Sequence, residues 1–146
     1  MSQRPSITEA LTGYAMSLAG HAWAILRFRH RGQGLAAPDA QLLTLGLIAT
    51  FLAFTTAAVT PSENISHSAV IVGAIAAASF AASYSFFGRV AAAGFIITTI
   101  VSEPVAIAFR AGGLAQIDTI LSVWVLAAQI VFFARTSGLQ AKAKAK

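Results

Sequence analysis

Apolar positions dominate the middle of this chain, where they form four long runs separated by short polar segments. Between Asp39 and Arg135 only five side chains carry a charge: Glu63, Arg89, Glu103, Arg110 and Asp118. The runs at residues 41–60, 68–87, 90–109 and 117–134 are 18 to 20 residues long. A helix of that length covers the roughly 30 Å hydrocarbon core of a bilayer. The pattern predicts an all-α fold, a polytopic transmembrane helical bundle of four spans.

The connections between the runs predict how the spans are arranged. Gly88 and Arg89 provide almost the whole link between the second and third runs, so these two spans must form an antiparallel hairpin. Glycine also suits the left-handed conformation that ends many helices. Residues 61–67 are polar and contain no Lys or Arg, which is typical of a short external turn.

The chain before the first run carries a weaker, amphipathic pattern. Ser6 and Glu9 have the spacing of a helix-capping box. Apolar residues then recur at helical intervals, up to a basic cluster: Ile7, Leu11, Tyr14, Leu18, Ala22, Ile25, then Arg27, Arg29, His30 and Arg31. We predict a helix over residues 7–31 and favour an interfacial helix over a fifth span. The expected divisions are an N-terminal interfacial segment (1–40), a transmembrane domain (41–135) and a flexible basic tail (136–146).

Composition narrows the class of protein further. Only 10% of the 146 residues are charged and 57% are hydrophobic, whereas soluble domains have roughly 25% charged residues. The chain has no cysteine, which excludes disulfides and thiolate metal sites. Its formal charge of +5 comes from residues that flank the apolar runs, a distribution that argues against nucleic-acid binding.

The positive residues predict the orientation in the membrane. With four spans, nine fall on one side and only Arg110 on the other; the nine are Arg4, Arg27, Arg29, Arg31, Arg89, Arg135, Lys142, Lys144 and Lys146. The positive-inside rule makes the crowded side, and with it the C-terminus, cytoplasmic. We expect a bacterial inner membrane, with lipid contacts at Arg27, Arg29, Arg31, Trp23, Lys142, Lys144 and Lys146. If the N-terminal helix were a fifth span, only the first few residues, with Arg4, would lie on the outer side, and the rest of the orientation would not change.

Glu103 is the first candidate for chemistry, because it interrupts the third apolar run. A carboxylate within a span is costly and points to a function by default. Pro104 lacks an amide hydrogen and exposes a carbonyl near the same depth. One interpretation is a proton or cation site built from Glu103 and hydroxyls of other spans. The other is structural, a carboxylate that hydrogen-bonds to a neighbouring helix or reaches toward Arg110.

The remaining polar residues within the runs give less indication of a functional site. Gln129 lies about 10 Å from the depth of Glu103 by helical rise, so we expect it to form a helix-bridging hydrogen bond and not to share a site. The three histidines do not match in depth, and we expect no cofactor and no metal site. No catalytic motif occurs in the sequence. We therefore expect no enzymatic activity and no catalytic residues.

The second run is crowded with small residues. Gly73, Ala77, Ala81 and Ser85 recur at four-residue spacing, and such a face lets helices approach closely. This favours a non-catalytic membrane subunit or assembly factor that acts by packing against other membrane proteins or a second copy of itself.

Two alternatives stay open. One is a small proton- or cation-coupled transporter or channel that uses Glu103; a four-span chain with one intramembrane Glu resembles small multidrug-resistance exporters in architecture, but those carry their essential Glu in the first helix. The other is a surface module that recruits a partner through residues 7–31 and uses the spans as an anchor.

Overall fold

The fold is built entirely from helices in the part of the chain that the computed structural model describes. That part is residues 6–59 and 65–144, with side chains placed at 6–59, 69–114 and 116–137. The helices are α1 (Ile7–Leu26), α2 (Asp39–Ala58), α3 (Ile65–Ala111) and α4 (Ala115–Lys144). The external turn expected at residues 61–67 lies largely outside the described residues.

Three segments are long and apolar enough to cross a membrane: Asp39–Ala58, Ala69–Ala111 and Gln116–Ser137. The second of these is 43 residues long, about twice what one crossing needs. Helix α1 is not among them, in agreement with a four-span bundle preceded by an N-terminal helix. The protein is a multi-pass membrane protein.

Helix α3 folds back on itself at Gly88, which divides it into α3a (residues 65–87) and α3b (residues 89–111). Gly88 has φ 79° and ψ −178°, a conformation that essentially only glycine adopts. On either side of this bend, Val72 and Ile75 of α3a line the same cavity as Ser102 and Glu103 of α3b. The two arms therefore lie side by side as the antiparallel hairpin predicted from the sequence, but the connection is shorter than expected, because Gly88 is its one non-helical residue and Arg89 already belongs to α3b.

Arm α3b occupies the centre of the bundle, since its residues Ala93, Ile96 and Ile97 line a pocket together with α1 and α2 and its Gly94 packs against α4. Its run of small residues from Ala91 to Gly94 is buried, and Ile96 and Ile97 continue the core. At Gly94 an added Cβ would lie 2.1 Å from the ring of Phe132. Only glycine lets α4 approach α3b this closely.

Helix α1 begins at the expected capping box. The Ser6 hydroxyl accepts a hydrogen bond from the Glu9 amide at 3.2 Å, and the Glu9 carboxylate accepts one from the Ser6 amide at 2.8 Å. These bonds lower the pKa of Glu9. The helix ends at Leu26 and not at residue 31, because Phe28 has φ 56°, outside the right-handed helical region.

Helix α4 extends beyond the expected end of the fourth span. It continues to Lys144, so the tail that we expected to be flexible from residue 136 is helical as far as the described residues go. The reason is local, since residues 139–144 are strong helix formers. Residues 145 and 146 lie outside the described residues.

Candidate functional site

A cavity of about 260 Å³ lies between α3a, α3b and α4 and is partly open to the surroundings. We call it the Glu103 cavity, because it contains the carboxylate singled out from the sequence. Its polar lining comes from these three helical segments and comprises Ser79, Thr99, Ser102, Glu103, Arg110, Ser122 and Gln129. Within an otherwise apolar bundle, this is a concentration of hydrogen-bonding groups at membrane depth.

Glu103 is half-buried on the wall of this cavity. Among the described residues its carboxylate has neither a hydrogen bond nor an ion pair. The next residue, Pro104, has no amide hydrogen, so the carbonyl of Ile100 lacks its usual helical partner. The half-buried Glu103 carboxylate and the Ile100 carbonyl, which Pro104 deprives of its usual amide donor, therefore occur one turn apart on α3b.

Arg110 does not pair with Glu103, which was the structural alternative suggested by the sequence. Its Nε donates to the Asp118 carboxylate at 2.6 Å, and its Nη1 donates to the Thr56 carbonyl at 3.1 Å. The side chain of Asp118 is only 7% exposed, and its Oδ1 has no partner among the described residues. This ion pair joins α2, α3b and α4 at one end of the bundle, here named the Arg110 end.

The Arg110–Asp118 pair was not predicted from the sequence. A signal was present, because the two opposite charges are eight positions apart across the Gly112-Gly113 turn. A helix, a tight turn and a second helix bring such positions together.

Gln129 makes a bridge of the kind suggested by the sequence. Its Nε2 donates to the Thr98 hydroxyl at 2.8 Å, which links α4 to α3b, and both residues are buried. Gln129 also lines the Glu103 cavity. The difference in depth between Gln129 and Glu103, estimated from helical rise, therefore did not exclude a shared cavity. The cavity extends along the bundle over several helical turns.

Two histidines that are nine positions apart meet at the opposite end of the bundle. His21 Nδ1 lies 2.7 Å from His30 Nε2, and the Gly32 amide donates to His30 Nδ1 at 2.8 Å. Since His30 Nδ1 is an acceptor, its Nε2 must carry the proton that bonds to His21. Burial, and then the proximity of His21, lower the pKa of His30. Among the side chains that the structure describes, at residues 6–59, 69–114 and 116–137, there is no cluster of three or more His, Asp or Glu able to hold a metal.

The positions of the small-residue face on the second span differ in their burial. Gly73 is buried, with Phe54 of α2 beside it. Ala77, Ala81 and Ser85 are exposed. The bundle therefore buries one position of this face and leaves the other three exposed.

The residues that we expected to contact lipid have different surroundings in the structure. Arg27 lies over the exposed ring of Trp23, with 5.7 Å between its Cζ and the ring centroid. Arg29 and Arg31 instead join Arg135 around a common pocket. The backbone of Lys142 and Lys144 is in the last turns of α4, and Lys146 lies outside the described residues.

Comparison with family models, with curated proteins and with solved structures finds no match to this chain. Its function therefore has to be inferred from the Glu103 cavity and from the surfaces around it.

Proposed function

We propose that this protein is a non-catalytic, multi-pass subunit of a larger membrane complex, and that the Glu103 cavity receives a transmembrane helix of its partner. The observation that carries this proposal is the half-buried, unpaired carboxylate of Glu103 in a cavity that is partly open. The partner helix is expected to carry a hydrogen-bond donor, such as Lys, Arg, Ser or Asn, at the depth of Glu103.

The opening of the cavity supports a partner within the membrane. Val72 and Ile75 on α3a and Leu126 on α4 line the cavity and are 38%, 58% and 57% exposed. Ile75 and Leu126 lie more than one helical turn inside their apolar segments, so the cavity opens sideways toward lipid. A carboxylate facing lipid is costly, and a donor from another helix would remove that cost.

The composition of the cavity wall also suits a helix. Ala76 and Ser79 of α3a and Ser122 of α4 are small, which allows close backbone approach, and hydroxyl groups can hydrogen-bond across helices. The exposed residues Ala77 and Ala81 extend the same kind of surface around α3a. A partner could thus pack along α3a over several turns.

Purification in mild detergent tests this proposal through a tag on the full chain. The wild type and Glu9→Gln, a control that removes a carboxylate outside the spans, are expected to retain a stoichiometric membrane partner. Glu103→Leu is expected to lose it while remaining folded. A wild-type protein that is monomeric and fully functional alone would refute the subunit proposal.

A second candidate function is favoured by the other groups in the cavity. The hydroxyls of Thr99 and Ser102 and the amide of Gln129 line the same cavity as Glu103, and they supply oxygen atoms of the kind that a cation or a transported proton would require. Proton and cation flux in proteoliposomes should fall in Glu103→Gln if this is the function. Equal flux in the variant and the wild type would dismiss it.

We also propose the orientation. The end that carries Arg89, Arg135 and the loop between α1 and α2 faces the cytoplasm of a bacterial cell, with the C-terminus inside, because positive residues are retained on that side. A reporter that works only in the cytoplasm should be active when it is fused after Lys146. Activity of an export-dependent reporter at the same position would reverse the orientation.

A further inference from the structure

A second polar pocket lies at the end of the bundle opposite to the Arg110 end. Its volume is about 530 Å³, and it is lined by Phe28, Arg29, Arg31 and Arg135. We call it the arginine pocket. It shares no lining residue with the Glu103 cavity, so the proposed partner site does not account for it.

Local backbone structure places two of the three arginines. The left-handed Phe28, with φ 56°, reverses the chain directly after α1. The Phe28 amide bonds to the Ile25 carbonyl at 2.8 Å, and the Arg29 amide bonds to the Ala24 carbonyl at 2.9 Å. A non-glycine residue in this conformation is uncommon, and here it directs Arg29 and Arg31 away from the path that the helix would have followed.

Helix α4 fixes this loop at three points and supplies the third arginine. The Trp124 indole donates to the Leu26 carbonyl at 2.9 Å, and the Trp124 ring meets the Phe28 ring edge-on. Arg135 donates to the Phe28 carbonyl. At Gly32, whose φ is 84°, an added Cβ would lie 2.8 Å from Val90 and 3.1 Å from Thr136. The pocket is thus held in place before any ligand binds.

The pocket concentrates positive charge without a compensating carboxylate. In the described part of the chain the ion pairs are Arg89 with Asp39 and Arg110 with Asp118, and neither involves Arg29, Arg31 or Arg135. Guanidinium groups repel one another at short range but match the geometry of a phosphate, to which each can donate two hydrogen bonds. The arrangement therefore suits a phosphate-bearing anion.

The position of the pocket indicates the source of that anion. Arg135 lies two residues before the end of the apolar segment Gln116–Ser137, which is where lipid headgroups begin, and Phe28 provides an apolar wall. We propose that the arginine pocket binds the phosphate of an anionic phospholipid headgroup through Arg29, Arg31 and Arg135. The chemistry would also admit a soluble phosphate compound, and the experiment distinguishes the two sources.

Native mass spectrometry of the full-length protein, released from nanodiscs of mixed phosphatidylglycerol and phosphatidylcholine, tests the proposal. The wild type should retain phosphatidylglycerol selectively. Arg29→Gln and Arg31→Gln should each weaken retention about tenfold, the effect of losing a charged hydrogen bond. Arg135 is left unchanged because it also holds the loop through the Phe28 carbonyl.

Arg27→Gln is the matched control, since it removes the same charge from the same loop but lies over Trp23 and outside the pocket. Its lipid retention should equal that of the wild type. A loss in Arg27→Gln as large as that in Arg29→Gln would mean diffuse attraction to the bilayer and overturn the proposal. Equal retention of both lipids, or displacement of phosphatidylglycerol by millimolar inorganic phosphate, would also overturn it.

Discussion

The two arms of α3 are similar in composition but differ in their surroundings. Both are rich in alanine. Ala74, Ala77, Ala78 and Ala81 of α3a are exposed, whereas Ala91, Ala92, Ala93 and Gly94 of α3b are buried. A small-residue run permits close packing, but it does not say which helix takes the central position. Arm α3b is enclosed because the other helices pack around it, and α3a stays at the periphery with its small face outward.

The polar residues of the two arms differ in the same direction, with an exception on each arm. Thr98 and Thr99 on α3b are buried and donate to backbone carbonyls of their own helix, to Gly94 and Phe95 respectively, at 2.9 Å. On α3a, Tyr84 and Ser85 are exposed, and the exception is Ser83, which is buried. Glu103 is the exception on α3b, because its carboxylate has no donor among the described residues, and that exception is the basis of the proposed partner site.

The largest difference between the arms should come from inserting the same large residue into each. Gly94→Leu places a side chain where a Cβ alone would lie 2.1 Å from Phe132, so we expect a loss of about 3 kcal/mol or more, or failure to fold. Ala81→Leu, on the exposed face, should change the unfolding midpoint in detergent very little. Equal losses in the two variants would contradict the central position of α3b.

The joint between the arms should be the next most sensitive position. Gly88→Ala forces a Cβ onto a backbone with φ 79° and ψ −178°, and we expect it to cost about 2 kcal/mol in detergent unfolding. Gly20→Ala is a suitable control, because Gly20 is helical and has nothing within 4 Å of an added Cβ. A control that loses as much stability as Gly88→Ala would show that the bend does not need glycine.

A smaller effect is expected from the link between α3b and α4. Gln129→Leu removes the 2.8 Å hydrogen bond to Thr98, and interhelical hydrogen bonds in membranes contribute about 0.6 kcal/mol on average. Combining it with Thr98→Val in a double-mutant cycle isolates this bond. A coupling energy of zero would mean that Gln129 contributes by packing alone.

The smallest expected effect is the pH dependence of stability that arises from His30, in the loop that packs on α3b and α4. Because the pKa of His30 is lowered below 6.5 on folding, the unfolded chain takes up a proton first as pH falls. Stability should be constant above pH 6.5, decline below it, and level off once pH is under the folded pKa. His30→Gln should remove this decline. An unchanged pH profile in the variant would assign the decline to other groups.

Some features of this protein could be predicted because they depend on local properties of the chain. Run length and hydropathy determine that residues 41–60 and the following runs cross a membrane. The Gly88-Arg89 link is too short for anything but a hairpin, and Ser6 and Glu9 cap a helix through contacts within four residues. The all-α class, the number of spans and the start of α1 follow from these local rules.

Other features were decided only by the tertiary structure, because they depend on how helices that are distant in sequence pack together. Local patterns do not show that α3b is the central arm or that Gln129 shares a cavity with Glu103. They also do not show that Arg135 joins Arg29 and Arg31, since 104 positions separate Arg31 from Arg135 (135 − 31). Hydropathy determines that a segment enters the membrane, and only packing determines which of its side chains meet.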